Sequence, residues 1–183
     1  MLAALIVLLP AAAFPRQQRE NVNPQAAALQ EFQNRLNAYL KLREEFGRRL
    51  GSLSPTASSA ELTARQESLA AALKTARKTA KQGDLIPAPV AALIAKIVVE
   101  DFHLRNPQLK QATLEEVPIR ARPVINRTYP ADAALPTVPP LLLKKLPLLP
   151  DNLQYRFFGR HVVILDGDTQ IIVDYIADVL PPH

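Results

Sequence analysis

The chain has 183 residues with a formal net charge of +5, 17 prolines against 5 glycines, 5% aromatic residues and no cysteine. Without cysteine it has no disulfide, thiolate zinc site, cysteine nucleophile or lipid-modified cysteine. The length suits one ordinary domain or a small domain with tails. The mild positive charge favours contact with anionic lipid, cell-wall polymer or an acidic partner, although it also lies in the range that keeps a small domain soluble.

Residues 1–13 form an uncharged apolar run that is broken only by Pro10 and ends in three alanines. This pattern is typical of a cleavable secretory signal peptide, with cleavage close to Ala13. The run is shorter than the roughly 20 apolar residues that span a bilayer, so no stable transmembrane anchor is expected after cleavage. Because the usual Lys or Arg before the run is missing, a weak signal, a start placed too far downstream and a frayed terminus are alternatives. Export without disulfides favours a periplasmic or secreted bacterial protein.

A polar leader, residues 14–23, precedes a predicted helical region, residues 24–105. Asn23 as N-cap and Pro24 at the first helical position begin a long amphipathic helix that ends before Gly51. Its apolar residues follow the three-and-four spacing of one helix face if Arg43 is accepted as the single polar residue there. These apolar residues are Leu29, Phe32, Leu36, Tyr39, Phe46, Leu50 and Leu53.

Two further helices are predicted in the helical region. A capping box of Ser58 and Glu61 begins the second helix, which is expected to run to about Gln82. The third helix is expected from about Ala88 to His103 and is the most hydrophobic of the three. Short connections favour antiparallel neighbours, so we expect three packed helices or a long helical hairpin with a third helix against it.

Residues 106–151 are predicted to form a Pro-rich extended arm. Its nine prolines exclude a long helix and a central strand, which leaves extended or polyproline segments. Its leucines are too apolar for a solvated tether, and we expect them to pack on the helices or on a partner. They are Leu141, Leu142, Leu143, Leu146, Leu148 and Leu149.

Residues 152–180 are predicted to form a β-hairpin. The segments 153–166 and 169–176 are rich in β-branched and aromatic residues, with a turn signal at Asp166-Gly167 between them. Gly159 is interpreted as the site of a bulge. An isolated hairpin is marginal in water, so it needs a helix face, a strand from the arm or a second copy. The predicted fold class is α+β, with about three N-terminal antiparallel helices, the extended arm and the C-terminal β-hairpin.

The C-terminal segment resembles that of uncharacterised exported bacterial proteins. The shared pattern is Tyr-Arg-Phe-x-Gly-Arg, an aliphatic run, Ile-Val-Asp and a final Leu-Pro, matched here by residues 155–160, 172–174 and 180–181. The match covers only about thirty residues of the chain. The resemblance implies a bacterial, exported, non-enzymatic protein and supplies no site.

Two groups of residues carry side chains that could take part in acid-base catalysis or bind a metal ion. Glu100 and His103 lie three residues apart near the end of the third predicted helix, and no third ligand is evident. Asp166, Asp168 and Asp174 supply the oxygen ligands that suit calcium or magnesium, but without the spacing of an EF-hand loop. A polar helix end and a solvated turn are therefore the favoured interpretations. An envelope hydrolase or metal-dependent enzyme using either group is the alternative, and no cofactor is predicted.

Four basic residues, Lys74, Arg77, Lys78 and Lys81, follow helical spacing near the end of the second predicted helix. Positive charge is favoured there by the helix dipole. In an exported protein a solvated face is the favoured interpretation, an anionic surface contact is the alternative, and nucleic acid is not expected. The sequence thus predicts a small exported interaction or structural protein without catalytic activity. Its expected partner is another protein or a second copy, bound through the arm and the hairpin.

Overall fold

The fold is α+β, as predicted. It is seen in a computed structural model that describes residues 23–115, 122–129 and 138–180. The predicted signal peptide, and all of the polar leader except Asn23, lie outside the described residues. The helices are α1 (Pro24–Arg49), α2 (Ser59–Ala76), α3 (Ala88–Leu104), α4 (Pro107–Glu115) and α5 (Pro140–Leu143). The strands are β1 (Leu153–Phe158), β2 (His161–Asp166) and β3 (Ile172–Ile176).

The first two helices begin where their capping residues predict. The Asn23 side chain accepts a hydrogen bond from the Gln25 amide at 3.0 Å, and Pro24 is the first residue of α1. At the start of α2, the Ser58 amide donates to the Glu61 carboxylate at 2.7 Å while the Ser58 hydroxyl accepts from the Glu61 amide at 3.3 Å. The hydrogen bond from the Ser58 amide lowers the pKa of Glu61. Both predicted helix starts are therefore confirmed.

The end of α2 differs from the prediction, because the helix stops at Ala76 rather than near Gln82. The Arg77 carbonyl, at the C-cap, accepts from the Ala80 amide at 2.9 Å in a three-residue turn and also from the Asn126 side-chain amide. Residues 77–84 form turns that lead to α3. Tight turns and a distant side chain thus satisfy the end of the helix where local propensity would continue it.

The helix α1 packs on both α2 and α3. Near one end of the α1–α2 pair, the Arg65 guanidinium donates to the Gly47 carbonyl at 2.9 Å; at the other end, the Arg77 guanidinium lies 5.2 Å from the Tyr39 ring centroid. These two contacts make α1 and α2 antiparallel, as predicted. The buried helix side chains in the core are Phe32, Leu36, Tyr39, Leu69, Ala70, Leu73, Val90, Ile94, Val98 and Phe102.

The C-terminal strands form an antiparallel sheet in the order β1-β2-β3, so three strands replace the two of the predicted hairpin. Phe158 pairs with His161 across a two-residue turn of Gly159 and Arg160. Gly159 has a φ of 57°, which glycine adopts without steric cost. The predicted bulge at Gly159 is therefore wrong, and this residue divides the predicted first strand into β1 and β2.

The predicted arm is helical in two places, so the expectation of a wholly extended arm is wrong there. Both α4 and α5 begin with a proline, which the first turn of a helix tolerates because its amides lack helical partners. Of the arm leucines, Leu142 and Leu146 are buried in the core as expected, whereas Leu141 and Leu148 are exposed.

Both faces of the sheet are covered. One face packs on the helices, and on the other the Tyr129 and Phe158 rings meet edge to face at 5.0 Å. Residues 126–129 of the predicted arm extend the sheet, because Thr128 pairs with Ile171 and the Tyr129 amide donates to the Gln170 carbonyl at 2.7 Å. The strands thus gain a helix face and an arm segment, two of the three supports expected. Within the described ranges, no helix has both the length and the apolar character needed to cross a bilayer.

Candidate functional site

Asp166, at the end of β2, is fully buried and joins the sheet to α1. Its carboxylate accepts hydrogen bonds from the Tyr39 hydroxyl at 2.7 Å and the Arg43 Nε at 3.0 Å. It also accepts from the backbone amides of Asp168 and Thr169 at 3.1 and 3.0 Å. Burial raises the pKa of Tyr39, and the Asp166 carboxylate raises it further, so the hydroxyl keeps its proton as a donor. Asp168 is half exposed and also pairs with Arg43.

Asp174, in β3, is equally buried and joins the sheet to the α2–α3 connection. Its carboxylate accepts from the amides of Gly83, Leu85 and Ile86 at 3.0, 2.9 and 2.8 Å, and from its neighbour Tyr175 at 2.8 Å. Burial raises the pKa of Asp174, and the four amides oppose that rise. Both carboxylate oxygens are occupied by the fold, which leaves Asp174 with a positioning role within the protein.

The predicted acidic groups do not assemble into a metal centre. In the part of the chain that the structure describes, no group of three or more His, Asp or Glu side chains could hold a metal ion. Glu100 faces solvent and pairs with Lys96 at 3.8 Å, and His103 is exposed. Asp101, which lies between them in the sequence, is the residue whose carboxylate is engaged.

The Asp101 carboxylate connects the end of α3 to the residues after α5. It accepts from the Arg105 guanidinium at 2.7 Å and from the Lys145 ammonium at 3.2 Å. Burial acts to raise the pKa of Asp101, but the hydrogen bonds and charges of Arg105 and Lys145 outweigh it and lower the pKa. This pairing holds the arm against α3.

Arg77 is the member of the predicted basic group with a structural role. Its guanidinium donates to the Asn126 side-chain oxygen and to the Val173 carbonyl, both at 2.9 Å, and lies over the Tyr39 ring. Burial lowers the pKa of Arg77, while the nearby Tyr39, Asp174 and Asp84 oppose the decrease. Arg77 therefore fastens the arm segment and β3 to α1.

Of the other three basic residues, one makes a contact within the protein and two are exposed. The Lys74 ammonium donates to the Thr128 hydroxyl at 2.6 Å, and Lys78 and Lys81 are exposed. Because α2 ends at Ala76, the four residues do not form the continuous helical stripe that their spacing predicted. An anionic surface could meet Lys78 and Lys81 without disturbing the fold.

A cleft of about 610 Å³ lies between α1, the α1–α2 loop and α2. Its guanidinium groups are largely engaged: Arg43 pairs with Asp166 and Asp168, and Arg65 donates to the carbonyls of Gly47 and Gly51. These contacts brace the loop that connects α1 to α2. The cleft is thus built mainly by groups that stabilise the fold.

Three leucines of α3 and the arm are the most exposed large apolar side chains among the described residues. Leu104 is 82% exposed, Leu141 is 72% exposed and Leu148 is 84% exposed. Leu104 lies one turn beyond Asp101, and Leu141 lies four residues before Lys145, so the Asp101–Lys145 ion pair brings these two segments together. Leu148 lies beside β1, because the Tyr155 hydroxyl donates to the Pro147 carbonyl at 3.0 Å. We call Leu104, Leu141 and Leu148 the leucine surface.

Comparison of the chain with protein-family models, with curated proteins and with solved structures finds no match. The predicted resemblance of the C-terminal segment to exported bacterial proteins therefore stays a prediction.

Sequence reasoning missed the buried roles of Asp166 and Asp174, which it interpreted as solvated turn residues. One signal was available for Asp166: Arg43 is a charged residue on the apolar face of α1, and a charge in that position needs a buried acidic partner. No comparable signal marked Asp174, because three of its four donors are backbone amides of residues 83–86.

Proposed function

We propose that the protein is a small exported interaction protein without catalytic activity, which binds a protein partner or a second copy through its arm and its C-terminal strands. The observation that carries the proposal is the leucine surface. Leu104, Leu141 and Leu148 are each more than two-thirds exposed although they belong to otherwise packed segments. Large apolar side chains that stay exposed on segments joined by the Asp101–Lys145 ion pair support a docking role for this side of the protein.

The placement of the acids supports the non-catalytic part of this proposal. Asp166 and Asp174 have both oxygens occupied by hydrogen bonds that connect the sheet to the helices. Glu100 pairs with Lys96 on an open surface, away from any described cavity. General acid-base catalysis requires a group within hydrogen-bond reach of a bound substrate, and Asp166, Asp174 and Glu100 are not placed for it. Asp168 does line the cleft beside α1, where its carboxylate is paired with Arg43.

Export rests on the apolar run of residues 1–13 and is tested at the N-terminus. Host cells are separated into cytoplasmic, envelope and medium fractions, and the recovered protein is identified by mass spectrometry of its terminal peptide. We expect the protein in the envelope or the medium, beginning close to Phe14. A cytoplasmic protein that retains residues 1–13 contradicts export.

The interaction is tested with a triple variant, Leu104→Ser, Leu141→Ser and Leu148→Ser. The control is Leu62→Ser, because Leu62 is 48% exposed but lies on α2, outside the leucine surface. Proteins are cross-linked in intact host cells, and the products are identified by mass spectrometry. We expect a defined product, with a partner protein or a second copy, that disappears in the triple variant and persists in the control. Identical products from the wild type and the triple variant refute a role for this surface.

A further inference from the structure

The cleft between α1, the α1–α2 loop and α2 has the size of a small-molecule site. Its volume is about 610 Å³, and ligand pockets commonly have volumes of about 300–1,000 Å³. One part of its lining is apolar and consists of Leu53, Leu62 and Leu69, which we call the cleft leucines. Leu62 is 48% exposed and Leu53 is half-buried, so a ligand can reach them. The cleft shares no residue with the leucine surface.

Two guanidinium groups that line the cleft carry a positive charge that no described acid neutralises. Arg48 is exposed, and none of the ion pairs among the described residues includes it. Arg65 donates to the carbonyls of Gly47 and Gly51, which fix its position but carry no formal charge. A guanidinium has more N–H donors than these two bonds use. Arg65 therefore remains able to bind an anion.

The acids of the cleft leave this positive charge in place. Two acids, Glu44 and Asp168, line the cleft against three arginines, so these five residues have a net charge of +1. Asp168 pairs with Arg43, and Asp166 behind them is fully buried and accepts four hydrogen bonds. The charge available to a ligand is that of the two guanidinium groups without an acidic partner, opposed among the lining residues by Glu44.

Gly47 keeps the cleft open beside these guanidinium groups. It lies within α1, where glycine is less favourable than alanine. A β-carbon at Gly47 would lie 4.0 Å from its nearest neighbour, an Arg65 guanidinium nitrogen. Because the backbone of Gly47 is helical and its surroundings are not crowded, the fold does not require glycine there. A larger side chain would extend towards Arg65 and fill part of the cleft.

We propose that the cleft binds an organic carboxylate that carries an apolar chain. The carboxylate binds Arg48 and Arg65, whose planar guanidinium groups match it in geometry and charge. The chain packs on the cleft leucines and is thereby removed from water. A net charge of +1 on the lining suits a singly charged head group. This binding site goes beyond the proposed function, which depends on the leucine surface.

Isothermal titration calorimetry of the full-length protein with decanoate, kept below its micellar concentration, tests the proposal. Decyltrimethylammonium has the same chain with the opposite charge, and acetate has the carboxylate without the chain. We expect one saturable site for decanoate and binding at least about tenfold weaker for both control ligands. No decanoate binding at millimolar concentration overturns the proposal, as does equally strong binding of decyltrimethylammonium.

Three variants test whether decanoate binds in the cleft. Gly47→Leu fills the space beside Arg65 and should abolish binding, while its thermal unfolding should occur at the same or a higher temperature because leucine favours a helix more than glycine does. Arg48→Gln removes an exposed guanidinium and should weaken binding about tenfold. The control is Arg49→Gln, because Arg49 pairs with Glu45 and does not line the cleft, and it should bind decanoate like the wild type. Unchanged binding by either Gly47→Leu or Arg48→Gln overturns the assignment of the site.

Discussion

The two edges of the sheet are contacted by different parts of the chain. Along β3, residues 126–129 add backbone hydrogen bonds, Arg77 donates to the Val173 carbonyl and Asp174 binds the α2–α3 connection. Along β1, the contacts come from residues 147–150 and from the strand's own Arg156. The groups that close the β3 edge lie 41 to 96 residues away in the chain, whereas the β1 edge is contacted by its near neighbours.

This difference indicates which edge contributes more to stability. A buried charge with four amide donors is costly to disturb, because each donor left without an acceptor loses its solvation as well as its bond. The contacts along β1 are single hydrogen bonds between near neighbours, such as the bond from Tyr155 to the Pro147 carbonyl, and the loss of one costs less. Substitutions at the β3 edge should therefore reduce stability more than substitutions at the β1 edge.

The largest effect is expected from Asp174→Asn at the closed edge. The amide offers one acceptor oxygen to four backbone donors and turns its own NH₂ group toward them. We expect a loss of about 3–5 kcal/mol in the free energy of unfolding, measured by urea denaturation. Asp178→Asn is the matched control, because its 3.4 Å ion pair with Arg160 is exposed, and we expect a change below about 0.5 kcal/mol. Similar values for both variants contradict the closed-edge role of Asp174.

A smaller loss is expected from Arg77→Lys. Lysine keeps the charge but cannot donate to both the Asn126 side chain and the Val173 carbonyl in the geometry of a guanidinium. We expect a loss of roughly 2 kcal/mol in the free energy of unfolding. Lys78→Ala, next in the chain and exposed, should change it by less than about 0.5 kcal/mol. An Arg77→Lys protein as stable as the wild type indicates that the arm segment holds the edge without Arg77.

At the β1 edge, Tyr155→Phe removes only the hydrogen bond to the Pro147 carbonyl. We expect a loss of about 1 kcal/mol in the free energy of unfolding. Tyr175→Phe is the control because no hydroxyl bond is seen for Tyr175 in the described chain, and its change should be near zero. Equal losses for the two variants show that Pro147 does not anchor the residues beside β1.

The smallest effect is expected for the pH dependence of stability and involves His161, the first residue of β2 after the turn from β1. Burial lowers the pKa of His161 below 6.5 in the folded state, and its Nδ1 accepts from the Asp178 amide at 3.0 Å. The unfolded chain therefore binds more protons below pH 6.5, and stability falls as pH decreases through that range. His161→Phe should lose this decrease, so the wild-type and variant stabilities converge or cross at acid pH in thermal melts. A constant difference between pH 8 and pH 5 contradicts the lowered pKa.

The sequence predicted the parts of the fold that are specified locally. Asn23, Pro24, Ser58 and Glu61 marked helix starts because caps act over a few residues, and β-branched runs marked the strands. The number of strands was missed because Gly159 fits either a bulge or a turn, and only the pairing of Phe158 with His161 decides between them.

The candidate site was much less predictable. Asp166 and Asp174 look like turn and strand-end carboxylates, and their burial depends on Tyr39 and Gly83, which lie 127 and 91 residues away in the chain. The Arg77 carbonyl, just after the end of α2, is bound in the same way by Asn126, 49 residues further along the chain. No local pattern contains these partners. The leucine surface was foreseen only as a need for burial, because composition does not say which leucines of the arm turn inward.

The hydrogen bond between Tyr39 and Asp166 also joins two residues that are synthesised at well-separated times. The middle of α1 is synthesised well before the carboxylate that its tyrosine requires, which lies 127 residues further along the chain. Until the strands are made, the helices have no sheet to pack on, and contacts of such long sequence separation form slowly. The helices therefore cannot complete their buried core before the strands have been synthesised.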